Sequence, residues 1–544
     1  MSEKPPVIIL VVSKSFGEVD WILPVLTLFK EQHPEWEIIT LFSHKVIYDF
    51  LTLNTTLLAQ FSQVSSLNIV PQELALFFQE NVAPEQVKII LKDYNEDQYS
   101  PYKTEVERYC PSALVVSYPH SNHIFSNRGT DGLRICPDPD AYSVHDLFLL
   151  CSEHDIPYWS RYVDVGKIRT FGYPRYDSWW MKRILSGPNL RESEEFRRAQ
   201  QFEKVFFYVS RGAHPVYLNQ GDYEYLLRST LEETLRYEDG LLLIKPHPRQ
   251  DVEDLHRVLS DYDPQRWMVS GLHLMELASL ADVVISGWSS GILDGLAVGK
   301  PVIEFWRFSG MDPDCRVSSD GRPSTIYREL GLVRAAETRE ELAALLADAI
   351  SDPEGPAWQV QKRAFGRYCK EIDNASGSIA ACLFDEVARK QAGLALPATG
   401  QPPTGLIDAM IDFVTGLAED GEEERVGQWL EFLIAQFPEE PHVLNNLGVF
   451  LFNRGDSVGA VDCLVKSVKH EPRYQEATMN LVQILLFLGR EDDAADIVVS
   501  FYRQTSGTGP RAAFLQALRE QLGEEPFGRM QERLVALHGP ASAA

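Results

Sequence analysis

The sequence contains no long apolar run. A membrane-spanning helix needs roughly 18 or more consecutive apolar residues, and no stretch of the chain approaches that length. The first apolar run, Val7–Val12, is also too short for the core of a signal peptide and precedes no small-residue cleavage site. We therefore expect a protein without a transmembrane segment, located in the cytoplasm or peripherally at the inner face of the membrane.

Cysteine and positive charge are scarce as well. The chain has 7 cysteines, an odd number without metal-type spacing, which argues against a disulfide framework or a metal site and is typical of reduced cytosolic thiols. The formal net charge of −27 argues against a nucleic-acid partner and leaves no polybasic membrane anchor. An acidic chain can still hold a phosphorylated ligand in a local basic pocket.

Two series of short apolar runs alternate with helical patterns. The length of 544 residues and the hydrophobic content of 44% are those of a globular protein with several domains. Strands alternating with helices predict doubly wound parallel sheets. We predict an α/β protein with two Rossmann-like halves, at 1–188 and at 200–390. The predicted strands are 7–12, 36–42, 113–117, 147–151 and 167–171, then 205–209, 241–244, 268–269, 283–285 and 302–305.

A 34-residue repeat follows the second half. Residues 391–405 are rich in Ala, Gly, Pro and Thr and predict a linker. Asn446, Leu447, Gly455 and Ala460 then recur 34 residues later as Asn480, Leu481, Gly489 and Ala494. This is the period of tetratricopeptide repeats, which are pairs of helices. We predict an all-α repeat domain at 406–540, with units near 407–440, 441–474 and 475–508, which binds a protein partner and carries no chemistry of its own.

The stretch 282–305 predicts a phosphate-binding turn. It reads as a strand, a loop with Ser286, Ser289 and Ser290, a helix and a second strand. Backbone N–H groups and small hydroxyls meet where the strand joins the helix, and the helix dipole favours an anion there. An ordinary helix cap without a ligand is the alternative.

The segment 245–249, Lys-Pro-His-Pro-Arg, directly follows a predicted strand. Its prolines hold the backbone extended, so that His247 is presented rigidly between Lys245 and Arg249. A histidine between two cations suits a diphosphate, and the alternative is a turn with a solvated histidine. Ser210 and Arg211, in the loop after the first strand of this half, are further candidates for contact with a phosphate, and a flexible surface loop is the alternative.

Three of these motifs together resemble a known family. Gly172-Tyr173-Pro174-Arg175-Tyr176-Asp177, then the Lys-Pro-His-Pro segment, then 282–305 with its serine pair, resemble in order and spacing the CDP-glycerol glycerophosphotransferases, which are GT-B-type polymerases of teichoic acids. The set is also similar to the His-Pro and Ser motifs of bacterial polysialyltransferases and capsule Kdo transferases. The similarity covers about 145–385 and includes 373–378, Asp-Asn-Ala-Ser-Gly-Ser.

This resemblance implies an inverting, metal-independent glycosyltransferase of polysaccharide biosynthesis. It would use a CMP- or CDP-activated donor, with no further cofactor, and transfer a sugar or a polyol phosphate to a surface glycan or a glycosylated protein. In that picture the half 1–188 is the acceptor domain and the half 200–390 is the nucleotide-donor domain. His247, Ser289 and Ser290 hold the donor phosphates, Asp294 lies nearby, and Glu304 meets the ribose or the base.

The chain departs from the family at the catalytic base. The teichoic-acid enzymes carry a His-Gly-Thr segment, whereas Gly129-Thr130 here follows Arg128. Histidine titrates near neutral pH without tuning, so His120 is the first candidate base and His123 the second. Glu18 and Asp20, in the predicted loop after the first strand, are the carboxylate candidates.

Two other functions remain open. The first is a nucleotide-sugar 2-epimerase. Those enzymes carry a pattern similar to Ser-Gly-Gly-x-x-Glu-Glu, whereas this chain has Ser289-Ser290-Gly291 followed by a single acidic residue, Asp294. The second is a non-catalytic scaffold built on the repeats.

Overall fold

The computed structural model describes residues 4–13, 17–69, 74–93, 101–119, 145–247, 250–310, 316–317, 321–369, 373–393, 405–505 and 508–538. The chain divides into two compact units, Met1–Pro403 and Thr404–Ala544. None of the helices in the described ranges has both the length and the apolar content that a membrane crossing needs.

The first half of the first unit is a seven-stranded parallel sheet in the order β3-β2-β1-β4-β5-β6-β7. The central strand β1 is apolar along its whole length and buried, as a strand covered on both faces should be. The strands are β1 Val7–Val12, β2 Glu37–Phe42, β3 Ser66–Ile69, β4 Val87–Asp93, β5 Leu114–Tyr118, β6 Leu147–Leu150 and β7 Ile168–Thr170. The helices are α1 Gly17–Gln32, α2 Lys45–Thr52, α3 Thr55–Val64, α4 Leu74–Glu80, α5 Pro101–Tyr109, α6 Ile156–Trp159, α7 Ser178–Leu185, α8 Pro188–Glu192 and α9 Glu194–Ala199.

The second half is a six-stranded parallel sheet in the order β10-β9-β8-β11-β12-β15. The prediction of two parallel α/β halves is therefore confirmed. The strands are β8 Lys204–Val209, β9 Gly240–Lys245, β10 Trp267–Val269, β11 Val283–Ser286, β12 Val302–Phe305 and β15 Arg334–Ala336, with a small hairpin of β13 Arg316–Val317 and β14 Pro323–Ser324. The helices are α10 Gln220–Thr234, α11 Val252–Leu259, α12 Leu274–Leu280, α13 Gly291–Ala297, α14 Ile326–Glu329, α15 Arg339–Ser351, α16 Pro356–Tyr368 and α17 Ala375–Gln391.

Helix α1 begins earlier than the sequence predicts. It starts at Gly17, so Glu18 and Asp20 lie in its first turn and not in a loop. Pro24, which as a proline predicts a position in the first turn of a helix, lies inside α1 instead. The apolar contacts of Val19, Trp21 and its neighbours in the core outweigh the local cost of the proline. The segment 69–91, whose pattern is ambiguous, contains the end of β3, helix α4 and most of β4.

Helix α17 returns from the second half to the first. It packs against α1, β4 and β5. The carboxylate of Asp177 accepts hydrogen bonds from the first N–H groups at this helix, those of Asn374, Ala375 and Ser376, at 3.1, 2.8 and 2.7 Å. In return Asp373 accepts from the N–H of residue 178. The motif 172–177 and the motif 373–378 are therefore joined at one helix terminus.

The second unit consists of helix pairs. A backbone position with a positive φ ends a helix and lets the chain turn into the next one. Glycine adopts this φ readily because it has no β-carbon. Such glycines stand 34 residues apart at Gly421, Gly455, Gly489 and Gly523, with φ of 75°, 86°, 71° and 78°. The helical nature of this region is confirmed, a fourth pair follows the three predicted units, and the tetratricopeptide assignment stays a prediction. The helices are α18 Leu406–Glu419, α19 Glu423–Gln436, α20 Pro441–Asn453, α21 Ser457–His470, α22 Gln475–Phe487, α23 Glu491–Gln504, α24 Thr508–Leu522 and α25 Glu524–His538.

Candidate functional site

The candidate phosphate-binding residues meet at the carboxyl edge of the second sheet. Ser210 directly follows β8, His247 lies two residues after β9, and the turn 287–291 follows β11. Strands β9, β8 and β11 are parallel neighbours, so their carboxyl ends lie side by side. The N–H of Gly287 also donates to the carbonyl of Val209 at 3.2 Å, which fixes the turn against the end of β8. In such folds ligands bind at this edge.

The turn 287–291 packs closely against Trp306, and one of its two serine hydroxyls does not cap helix α13. A β-carbon at Gly287 would lie 3.1 Å from the ring of Trp306, so only glycine fits there without a shift. Ser289 Oγ accepts a hydrogen bond from the N–H of Gly291 at 3.2 Å, whereas Ser290 makes no capping hydrogen bond and is half-buried. The buried hydroxyl of Ser286 donates to the carbonyl of residue 287 and does not face a ligand.

Two cations at this edge are held by neutral oxygens. Lys245 Nζ donates to the carbonyls of Gly271 and Leu272, each at 2.7 Å. Arg211 donates to the carbonyl of Trp288 and, at 2.7 Å, to the hydroxyl of Tyr217, whose ring it also covers. Burial lowers the pKa of Lys245 to about 8 even though nearby carboxylates raise it. Within the described ranges neither cation hydrogen-bonds to a carboxylate, so neither charge is neutralised by direct contact.

The backbone of His247 is fixed by a neighbouring glutamine. Its N–H donates to Gln250 Oε1 at 3.3 Å and its carbonyl accepts from the N–H of Gln250 at 2.8 Å. Gln250 is itself buried and donates to the hydroxyl of Tyr223 at 3.1 Å. The histidine is half-buried at the strand end, as the sequence predicts. Arg249 lies outside the described residues.

A buried charged cluster joins the two halves beneath this edge. Arg175 Nη1 donates to Asp20 Oδ2 at 2.7 Å, and its Nη2 donates to Asp294 Oδ1 at 2.5 Å. The N–H of Met275 donates to His273 Nδ1 at 3.2 Å, so the ring proton sits on Nε2 and donates to Asp20 Oδ1 at 3.0 Å. Arg175 Nη2 also lies 3.5 Å from that nitrogen, but both carry protons, so this approach is not a hydrogen bond.

The two carboxyl groups of this cluster are tuned in opposite directions. Burial alone raises the pKa of Asp20, but Arg175 and His273 outweigh it and hold the pKa at about 2. Burial raises the pKa of Asp294 to about 6, and Arg175 only partly offsets it. Two groups donate hydrogen bonds to Asp20, namely Arg175 and His273. Asp294 accepts from the guanidinium and has only one other donor nearby, the hydroxyl of Tyr176 at 3.5 Å.

The structure describes two of the four candidates for the catalytic base, Glu18 and Asp20. A carboxylate held at pKa about 2 is a weak base, so the environment of Asp20 does not suit this role. Glu18 is fully buried and accepts from the N–H of Ser13 at 3.3 Å. His120 and His123 lie outside the described residues. His120 as the first candidate base and His123 as the second therefore stay predictions.

Glu304 does not reach the cleft. It is fully buried, and its Oε2 accepts from Thr325 at 3.0 Å and from Arg328 at 2.5 Å, both within the second half. Glu304 thus forms an ion pair inside the second half, and its contact with a ribose or base stays a prediction. Arg175 and His273 are the residues that sequence reasoning missed. Arg175 stood inside the 172–177 motif, whereas no local pattern marks His273.

Comparisons with known proteins show the fold and no more. No family model matches this chain, and no curated protein matches it. Among solved structures, S. aureus MnaA in a co-structure with UDP is 12% identical, with a TM-score of 0.50 over 73% of this chain and 99% of that one. A variant of the wall teichoic acid polymerase TagF is 14% identical, with a TM-score of 0.48 over 72% and 90%. UDP-GlcNAc 2-epimerase from Neisseria meningitidis bound to UDP-GlcNAc is 14% identical, with a TM-score of 0.47 over 70% and 100%. Despite this low identity, the likeness to MnaA spans nearly that whole chain, and over 73% of its length this chain is therefore similar in fold to a protein of GT-B-like architecture.

Proposed function

We propose that this protein is a GT-B-type transferase that uses a CMP- or CDP-activated donor. It transfers a sugar or a polyol phosphate to a surface glycan or a glycosylated protein. The donor phosphates lie at the carboxyl edge of the second sheet, against Ser290, Arg211, Lys245 and His247. The acceptor enters from the first half, where His120 or His123 acts as the general base.

The observation that carries this proposal is a pair of cations that make no contact with a carboxylate among the residues that the structure describes. The chain as a whole is acidic, with a net charge of −27. Arg211 and Lys245 are both held by neutral oxygens at the same sheet edge. Buried or half-buried positive charge that is not paired favours an anionic ligand, and the turn 287–291 adds backbone N–H groups. A diphosphate satisfies both features.

Nucleotide binding gives the first test. Thermal shift with CMP, CDP, UDP and GDP should show the largest rise for a cytidine nucleotide, because a ligand that binds only the folded state raises the melting temperature by mass action. Lys245→Met should abolish most of that rise. Lys300→Met is the matched control: it removes a partly buried lysine of the same half, in the connection from α13 to the amino end of β12. A chain that binds none of the four nucleotides is not a nucleotide-dependent transferase.

The epimerase is the second candidate, favoured by the fold shared with MnaA, whose structure contains UDP. The two reactions differ in their products. A transferase releases the nucleotide only when an acceptor is present, whereas an epimerase inverts a carbon of the sugar and releases nothing. Proton NMR of UDP-GlcNAc with the purified protein distinguishes them: a new sugar isomer without free UDP supports the epimerase and contradicts the transferase.

A further inference from the structure

Three buried contacts form a seam between the two halves. On the first half the partners are residues of α1, α3 and the short helical turn Pro174–Tyr176, and on the second half they belong to the starts of α12 and α13. Each participating residue is at most 4% exposed, so the contacts are shielded from water and from salt. The contacts are Arg175–Asp294 at 2.5 Å, His273–Asp20 at 3.0 Å and Thr56–Glu276 at 2.9 Å.

Arg175 is the one residue of the seam that touches α1 and α13 at once. Its two terminal nitrogens donate to Asp20 in the first turn of α1 and to Asp294 in α13. A planar guanidinium presents both donors in a fixed fork, which a lysine cannot reproduce. The positions of the two helices are therefore tied through a single rigid group.

The two tied helices lead to the two sides of the candidate cleft. Asp294 lies three residues after Gly291, where α13 begins at the candidate phosphate turn 287–291. Asp20 lies three residues after the start of α1, the helix that follows the carboxyl end of β1. A displacement of α13 on ligand binding must move Asp294, and through Arg175 it must act on the start of α1.

The cluster also has a charge balance that depends on Arg175. The charged and titratable groups that face it are Asp20, Asp294, Tyr176, His273, Lys245 and Glu276. Among the described residues, Arg175 Nε and Asp294 Oδ2 are buried without a hydrogen-bond partner. Removing the guanidinium would leave two buried carboxylates with little compensation, which strongly disfavours the present arrangement. The two unpaired atoms show that this arrangement does not satisfy every polar atom of the cluster.

We propose that Arg175 is a positioning residue that couples the phosphate turn of the second half to the start of α1 in the first half. Binding of a nucleoside diphosphate at 287–291 is thereby transmitted across the cleft to the acceptor side. Only the identity of the ligand rests on the proposed function, because the coupling itself is a property of the seam.

The coupling is tested first without ligand, by hydrogen exchange of the full-length protein. Asp294→Asn lies in the second half, yet it should speed amide exchange in residues 21–28 of α1 by about tenfold or more, since it weakens a buried ion pair that holds that helix. Asp282→Asn is the matched control. It removes a carboxylate of the same half that accepts from the N–H of Val205 at 2.8 Å, at the amino ends of β8 and β11. Unchanged exchange in α1 of Asp294→Asn overturns the proposal.

The second test adds CDP. In the wild type, saturating CDP should slow exchange both at 287–297 and at 21–28, whereas in Arg175→Lys it should slow only 287–297. Arg169→Lys, a mostly buried arginine that pairs with Glu386 and does not reach the seam, should behave as the wild type. A response of 21–28 that survives in Arg175→Lys overturns the proposal. Should Arg175→Lys fail to fold, Asp294→Asn replaces it in the same comparison.

The outcomes keep the two proposals apart. CDP that protects neither segment of the wild type contradicts the proposed nucleotide function, and the ligand-free comparison then decides the coupling alone. CDP that protects 287–297 but never 21–28 supports the nucleotide function and overturns the coupling.

Discussion

Asp20 and Asp294 share one guanidinium and yet differ in the charge that they favour. Burial favours the neutral form of each carboxyl, and only Asp20 has a second protonated partner, His273, within 3.0 Å. Burial, Arg175 and the unequal partners together set the pKa at about 2 for Asp20 and about 6 for Asp294. A group with a depressed pKa stabilises the fold when it is ionised, whereas a group with a raised pKa is best tolerated when it is protonated.

The stability of Asp294→Asn should therefore depend on pH in a distinctive way. The pKa of Asp294 rises from 3.8 in the unfolded chain to about 6 in the fold, so the wild type loses stability as the pH rises through this window and the asparagine variant does not. Relative to the wild type, the variant should gain on the order of 3 kcal/mol in free energy of unfolding from about pH 4 to about pH 7. Urea unfolding at several pH values measures this difference.

Asp20→Asn is the matched comparison and should show almost no trend over the same range. In the wild type the pKa of Asp20 is about 2 in the fold. The stabilising contribution of this carboxylate is therefore nearly complete above pH 3.8 and is lost only as the pH falls toward 2. Parallel pH profiles for the two variants would contradict the assignment of opposite environments.

His247→Ala should lower turnover without unfolding the protein. If His247 donates to a phosphate that gains charge in the transition state, its loss should cost roughly 3 kcal/mol of barrier, a decrease on the order of a hundredfold. Steady-state rates of the purified variant measure the effect, with circular dichroism as the check on folding. The control is His256→Ala, an exposed histidine of α11. A His247 variant as active as the His256 variant would exclude the role.

At the scale of elements, helix α17 shows how two short motifs depend on each other. Its first three N–H groups find no partner within the helix, as at any helix start, and the buried carboxylate of Asp177 accepts all three. Because α17 packs on α1 and on the first sheet, this cap fixes the return of the chain to the first half.

Asp177→Ala should thus destabilise the first unit by about 2–4 kcal/mol, since it leaves buried donors unsatisfied in addition to removing a cap. The control is Asp251→Ala, which removes the exposed cap of α11, where the carboxylate accepts from the N–H groups of Glu253 and Asp254. An exposed cap should cost only about 1 kcal/mol. Equal free energies of unfolding for the two variants would show that burial of the Asp177 cap has no consequence.

For the whole molecule, the division into two units predicts separable functions. The candidate site is built entirely from residues of the unit Met1–Pro403, and the helices of Thr404–Ala544 have a hydrophobic core of their own. The strongly acidic chain repels anions at long range, so the cations at the second sheet edge act only locally.

A protein truncated after Pro403 should fold and should bind CDP with unchanged affinity, because no phosphate-contacting residue is removed. Its transfer to a large acceptor, or its recruitment to a protein partner, should be impaired, because the repeat unit supplies surface rather than chemistry. Calorimetric titration with CDP, beside a transfer assay, measures both. A folded truncated protein that no longer binds CDP, where the full chain does, would show that the helical unit helps to build the site.

The sequence by itself determined what local patterns can encode. Apolar runs of strand length predicted both parallel sheets, and small residues after β11 predicted the turn at 287–291. The 34-residue recurrence of Gly455 and Gly489 predicted helix pairs, because a left-handed backbone position selects glycine whatever surrounds it.

Only the tertiary structure decided which charges meet. Arg175 is 119 positions from Asp294, and His273 is 253 positions from Asp20, so no periodicity links them. The start of α1 was missed because burial of Trp21 and its neighbours overrode the signal of Pro24. The pKa values of Asp20 and Asp294 likewise depend on desolvation and on partners brought together by folding, and an identical residue type therefore acquired opposite behaviour at two positions.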